Sequence, residues 1–268
     1  MSGPGVGAVL AQCRAEGRAA LIGYLPVGFP TVEGSIEAMV AMVESGVDIL
    51  EVGVPYSDPL MDGATIQAAA AEALAGGTRV DDVFRATAAV RAAGAPPLVM
   101  TYWNLVLRRG VERFAADLAA SGGAGLITPD LIPDEAGDWL AASDRYDLDR
   151  VFLVAPSSTT ERLATVTSAC RGFVYAASTM GVTGARSSVD TDAVGVVERT
   201  RAVTGIPVCV GLGVSTRAQA AEVASYADGV IVGSALVRAI MDGRELGTGL
   251  QPLRSLTAEL AAGVREGR

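Results

Sequence analysis

Histidine is missing from the 268-residue chain, and so is lysine; all 21 of its cationic side chains are arginines. The first absence removes the usual general base near neutral pH, the Ser-His and Cys-His nucleophile pairs, and histidine-ligated metals. The second removes a Schiff-base lysine and a lysine-anchored pyridoxal phosphate. Arginine cannot take over, because its pKa lies above about 12. Proton transfer near neutral pH is left to Asp, Glu, Tyr, Cys or a group on the substrate. Cysteine is scarce as well. Cys13, Cys170 and Cys209 show no paired spacing, which fits a reduced, cytoplasmic setting rather than a disulfide framework. No apolar run approaches the roughly 18 residues of a membrane helix, and Arg14, Glu16 and Arg18 interrupt the segment where a signal core would lie. The formal net charge of −9 is spread along the chain rather than blocked. That argues against nucleic acid or an anionic membrane as a partner. An anionic substrate stays admissible, since backbone amides bind phosphate without a basic protein.

What is present is an alternation of short apolar runs with helical patterns. Strands are expected at Ala20–Leu25, Asp48–Val52, Leu98–Tyr102, Gly125–Thr128, Arg150–Ala155, Gly172–Ala177, Pro207–Gly211 and Gly229–Val232. Their apolar runs are continuous rather than alternating, as in parallel strands covered on both faces. Between them, Ile36, Met39, Val40 and Val43 recur at helical spacing before Gly46, as do Val83, Phe84, Thr87 and Val90 before Gly94 and Phe114 with Leu118 before Gly122. Further helices are expected at Asp134–Ser143, Thr160–Ala169, Asp192–Thr200, Arg217–Ser225 and Ala235–Asp242. Eight strand–helix units place the chain in the α/β class as one (β/α)8 TIM barrel spanning 1–268, with Met1–Gly17 and Pro252–Arg268 as additional N- and C-terminal helices. A doubly wound open sheet is the structural alternative. Residues 241–251 read as a mobile loop before the last helix.

A barrel of this kind works at the C-terminal ends of its strands. There Glu51 stands among Ile49, Leu50 and Val52, either as a satisfied core carboxyl or as a barrel-facing one whose burial raises its pKa and suits it to move protons. The following loop adds Asp58 and Asp62, where a lone Asp-Gly pair ordinarily reads as a turn. Gly181-Val-Thr-Gly, Gly211-Leu-Gly-Val-Ser and Gly233-Ser234 follow the sixth, seventh and eighth strands. The last two loops and a helix N-terminus are where barrels bind phosphate. Tyr24, Tyr102 and Tyr175 fall at strand ends, and with Leu126, Leu153 and Leu212 either fill the barrel mouth or line a pocket for a flat aromatic group. Asp130 is expected to hydrogen-bond within its own loop.

Four segments carry a resemblance: Glu-Val-Gly-Val-Pro-Tyr-Ser-Asp-Pro-Leu-Met-Asp-Gly-Ala-Thr-Ile-Gln (51–67), Met-Gly-Val-Thr-Gly (180–184), Gly-Leu-Gly-Val-Ser (211–215) and Gly-Val-Ile-Val-Gly-Ser-Ala (229–235). In this order, over roughly residues 10–265, the chain resembles the tryptophan synthase alpha subunit. Thr-Tyr-Trp-Asn (101–104) and Tyr-Ala-Ala-Ser-Thr-Met-Gly (175–181) resemble its actinobacterial members. The resemblance implies retro-aldol cleavage of indole-3-glycerol phosphate to indole and glyceraldehyde 3-phosphate. It makes Glu51 the general acid–base group and puts Asp62 on the indole N–H, with Thr183 closing onto Asp62. Tyr24, Tyr102, Tyr175 and Leu212 would meet the indole, and Gly184, Gly213, Gly233 and Ser234 the phosphate. It implies no metal or cofactor in this chain, and indole passed to a pyridoxal-phosphate beta subunit in an alpha2beta2 assembly, faced by Pro55–Gly63 and Tyr102–Arg109. The absent lysine and histidine agree with it, because an indole protonated at C3 is its own electron sink. Ala64 stands where proline is usual, Thr179 and Met180 where Arg and Ala are, and Leu212 where an aromatic is frequent.

Three other readings compete: a standalone lyase releasing free indole, a catalytically weak protein that activates its partner, and another phosphate-binding barrel such as a sugar-phosphate isomerase.

Overall fold

The computed structural model describes residues 5–177, 191–211 and 213–267. Its strands are β1 (Ala20–Pro26), β2 (Ile49–Gly53), β3 (Pro97–Met100), β4 (Gly125–Ile127), β5 (Asp149–Val151), β6 (Leu153–Val154), β7 (Val174–Ala177), β8 (Val208–Gly211) and β9 (Gly229–Val232). All pair in parallel, in the order β5-β4-β3-β2-β1-β9-β8-β7-β6. The two ends of that order, β5 and β6, are consecutive pieces of one chain segment separated only by Phe152. The barrel therefore closes through the chain itself, and the chain forms a (β/α)8 barrel whose fifth strand, expected unbroken over Arg150–Ala155, is split. The pairing changes side at the break: Thr128 N–H reaches back to the Val151 carbonyl at 3.5 Å, while the Phe152 carbonyl accepts from Tyr175 N at 3.1 Å.

Two cores follow from the alternation of side chains across each strand. Ala20, Ile22, Ile49, Leu98, Ile127, Val151, Phe173, Cys209 and Ile231 fill the barrel interior. Leu21, Leu25, Leu50, Val52, Val99, Leu126 and Val210 face outward into the layer shared with the helices. Because both faces are apolar, the sequence shows a continuous run although the structure alternates. The Val6–Ala15 helix closes the bottom of the barrel, with Val6, Leu10 and Cys13 joining the interior cluster. It is held there by Arg14, which pairs at 3.0 Å with the buried Asp228; Arg201 approaches the same carboxylate at 3.0 Å and Val208 N–H at 2.9 Å.

Helix starts follow capping chemistry. Thr31 accepts from Gly34 N ahead of Val32–Glu44, and Thr159 from Arg162 N ahead of Thr160–Ala169. Two helices absent from the sequence expectation appear, Ala64–Ala75 and Trp103–Arg109. Ala64 is the first residue of the former, so the position where proline is usual is a helix start, which alanine also enters. The helix expected at Asp134–Ser143 is a 3-10 turn, Pro133–Glu135, followed by Gly137–Arg145. The loop expected at 241–251 shrinks to 246–250, because one helix runs on to Glu245 and the last spans Gln251–Glu266.

Candidate active site

Glu51 is the third residue of β2, two positions beyond Ile49, and so shares the inward face with it. Its side chain is buried, and its Oε1 has no hydrogen-bond partner among the described residues. Burial raises its pKa to about 8. An isolated buried carboxyl keeps its proton because desolvation penalises the charged form. A buried carboxyl with an unpartnered Oε1 is not a fully satisfied core group, and its raised pKa suits proton transfer near neutral pH.

Asp62 lies in the segment joining β2 to the Ala64–Ala75 helix, and burial raises its pKa to about 6. Tyr24 and Tyr175 complete this neighbourhood. Burial, followed by the charges of Asp62 and Glu51, lifts the Tyr24 phenol well above its ordinary range. Burial, then Glu51 and Tyr24, does the same for Tyr175. Both tyrosines lie within strands rather than at their ends. They fit because small neighbours make room. A Cβ at Gly53 would come within 2.6 Å of the Tyr24 hydroxyl, and one at Gly211 within 2.5 Å of the Tyr175 hydroxyl.

Tyr102 behaves differently. It lies beyond β3 rather than ending it, and its hydroxyl accepts the backbone N–H groups of Leu60 and Met61 at 3.0 and 3.2 Å. Leu126 belongs to the outer core and not to a pocket, since Ile127 takes the inward place on β4. Leu153 packs against the interior cluster. Asp58 is exposed and accepts from Ser57 Oγ at 2.6 Å, apart from the buried groups. Asp130 bonds to its own backbone amide, as expected, and also across loops: Trp103 N–H reaches both its carboxylate oxygens at 3.0 Å. Sequence spacing could not show that link, because it joins residues brought together only by the β3–β4 pairing.

Gly213, with φ +66°, follows β8, and Gly233 caps the Ser234–Glu245 helix after β9. The first hydrogen bond of that helix runs from Leu236 N to the Gly233 carbonyl at 3.0 Å. The amides of Ser234 and Ala235 therefore lie outside its ladder, at the positive end of the helix dipole. A cavity of about 380 Å³ adjoins them, lined among others by Thr65, Ser215 and Arg238. Thr183, Gly184 and Leu212 lie outside the described residues, as do Thr179 and Met180. No cluster of metal-ligating side chains occurs among the described residues, and none of their helices is long and apolar enough to cross a membrane. Cys13, Cys170 and Cys209 are free and buried.

Comparison with known proteins matches the family model for the tryptophan synthase alpha chain over residues 10–265. The tryptophan synthase alpha chain of Mycobacterium marinum is 65% identical over 261 residues, covering 97% of this chain and 95% of that one. The solved tryptophan synthase of Mycobacterium tuberculosis superposes with a TM-score of 0.92 at 63% identity, over 98% of this chain and 99% of that one. At greater distance, the alpha subunit of Legionella pneumophila has a TM-score of 0.85 at 29% identity, covering 98% and 97%. The mycobacterial relatives agree with the actinobacterial resemblance of the motifs. With the fold, the buried carboxyl at its mouth and these likenesses together, the chain belongs to the tryptophan synthase alpha chain family.

Proposed function

We propose that Glu51 and Asp62 are the catalytic pair of the family's reaction, the cleavage of indole-3-glycerol phosphate to indole and glyceraldehyde 3-phosphate. The chain is a carbon–carbon lyase of tryptophan biosynthesis by its family; what is proposed is the assignment of its residues. The observation that carries it is the buried Glu51 carboxyl on the inner wall, with Oε1 unpartnered among the described residues and its pKa raised to about 8. At neutral pH it holds a proton and gives it to indole C3. Asp62, ionised above about 6, accepts the indole N–H and stabilises the cationic ring. The bond between C3 and the glycerol carbon then breaks, its electrons returning to the ring. The proton of the glycerol hydroxyl passes to the Glu51 carboxylate, which ends as it began. No external electron sink is required, in keeping with a chain that lacks lysine and histidine.

Tyr24 and Tyr175, with Leu212, wall the indole pocket. Gly184, Gly213, Gly233 and Ser234 hold the phosphate through backbone amides, and Thr183 closes onto Asp62. Glyceraldehyde 3-phosphate leaves, and indole passes to a beta subunit that carries the pyridoxal phosphate; this chain needs no cofactor of its own. Three exposed apolar side chains suit that docking: Leu60 at 73% exposure, Leu107 at 54% and Ile132 at 42%, all on loops or helices that follow β2, β3 and β4. Near-full-length likeness to alpha chains favours the subunit over the standalone lyase. We place the alpha2beta2 assembly in the cytoplasm, consistent with three free cysteines.

Indole release from the purified chain, with and without a beta subunit, tests this function. Release accelerated by the partner is expected. Strong release that ignores the partner would favour the standalone lyase. No release, with tight binding of a pentulose phosphate, would favour a different barrel enzyme.

A further inference from the structure

Two side chains bracket Asp62, and the mechanism above uses neither as a proton carrier or ligand. On the N-terminal side, the Tyr102 hydroxyl accepts the amides of Leu60 and Met61 at 3.0 and 3.2 Å. On the C-terminal side, Gln67 Nε2 donates to the carbonyl of Asp62 itself at 2.7 Å. Tyr102 is fixed in turn. Its ring stacks on Tyr56 at 4.7 Å between centroids and 29° between planes, and the Tyr56 hydroxyl accepts from Asn104 Nδ2 at 2.9 Å. Directly after Tyr102, the Trp103 amide is anchored on Asp130. The phenol is 6% exposed, yet Leu60, whose amide it holds, is 73% exposed. A buried anchor thus pins a segment whose outer side meets solvent.

The need for an anchor follows from the segment's structure. Residues 54–63 form neither helix nor strand, so no ladder fixes their backbone. Holding such a stretch costs conformational entropy at every residue. A carboxylate that must meet one N–H tolerates little wandering, since a misplacement of about 1 Å can cost about a hundredfold in rate.

We infer that Tyr102 and Gln67 are positioning residues that set the Asp62 carboxylate against the indole nitrogen, with Tyr56 and Asn104 holding Tyr102 in place. This moves Tyr102 from the pocket wall to the support behind it, and it rests on the reading of Asp62 given above.

Tyr102→Phe keeps the ring and its stacking and removes only the hydroxyl. In steady-state cleavage of indole-3-glycerol phosphate, kcat should fall about tenfold, as expected for losing about two hydrogen bonds, while KM stays within about twofold because the phosphate is held elsewhere. In an Asp62→Asn background the same change should cost less than about twofold, because a positioning residue acts only through the residue it positions. Gln67→Met, at an exposed position, should show the same pair of results and carries the test if thermal melting finds Tyr102→Phe unfolded. Equal losses in both backgrounds, or an unchanged kcat in the single variants, would overturn the inference. A parent that releases indole but an Asp62→Asn variant of equal activity would instead overturn the reading of Asp62.

Discussion

Tyr24 lies directly opposite Glu51 in the ladder between β1 and β2, so a phenol and a carboxyl share the inner wall at the mouth of the barrel. The phenol is pushed well above its ordinary range by burial, Asp62 and Glu51. It stays protonated across the working pH, and the carboxyl opposite is the group that titrates.

The first consequence is a bell-shaped dependence of kcat/KM on pH for the free enzyme. In the proposed mechanism Asp62 acts ionised and Glu51 protonated, so activity should fall below about 6 and above about 8. Rates of indole release across pH 5 to 9, at substrate well below KM, check this. In Asp62→Asn the acidic limb should vanish from whatever activity remains.

Stability should respond to Glu51 in the opposite sense to its usefulness. The unfolded carboxyl titrates near 4.5 and the folded one near 8. Between those values the folded state binds more protons, so stability declines as pH rises through the window. Glu51→Gln removes the titration. Its melting temperature should exceed the parent's at pH 8, and the gain should shrink toward pH 5.

Asp228, at the other end of the barrel, provides the contrast. Burial alone would raise its pKa, but the Val208 amide, Arg14 and Arg201 outweigh that and hold it at about 2. Its contribution is present above the unfolded value of about 3.8 and is lost as pH falls toward about 2. Asp228→Asn should destabilise the fold at pH 7 by on the order of 2 kcal/mol, measured by urea unfolding. Cleavage by the folded protein should stay near the parent rate, since the bottom face of a barrel serves stability and the top face function.

The partner surface is tested at Leu107, which is 54% exposed on the Trp103–Arg109 helix. Leu107→Asp should weaken binding of the beta subunit by at least about tenfold, as expected when a charge enters an apolar contact. Titration calorimetry reads the affinity. Indole release by the isolated chain should be unaffected.

Much of this is legible in the sequence. Glu51 stood out as one carboxylate in an apolar run, and the glycine loops after the later strands marked where Gly213 and Gly233 would fall. What the sequence hid was direction. Leu126 and Ile127 read alike, yet one faces the helices and the other the barrel interior, because a strand covered on both faces loses its polar alternation. The Ala64–Ala75 helix was masked by its own composition: a run of alanines has no apolar stripe to detect. The roles of Tyr102 and Asp130 were hidden for a third reason, since each bonds to a segment far away in the chain. The split at Phe152 depends on where the ladder changes sides, which no residue type announces.

The most direct measurement compares the parent and Glu51→Gln in cleavage of indole-3-glycerol phosphate at pH 7, each saturated with beta subunit. Glutamine keeps the size of the side chain and cannot carry the proton between C3 and the glycerol hydroxyl. Indole release should fall by about a hundredfold to ten-thousandfold, with binding of indolepropanol phosphate retained. Release at the parent rate would contradict the assignment of Glu51 as the proton-transfer group.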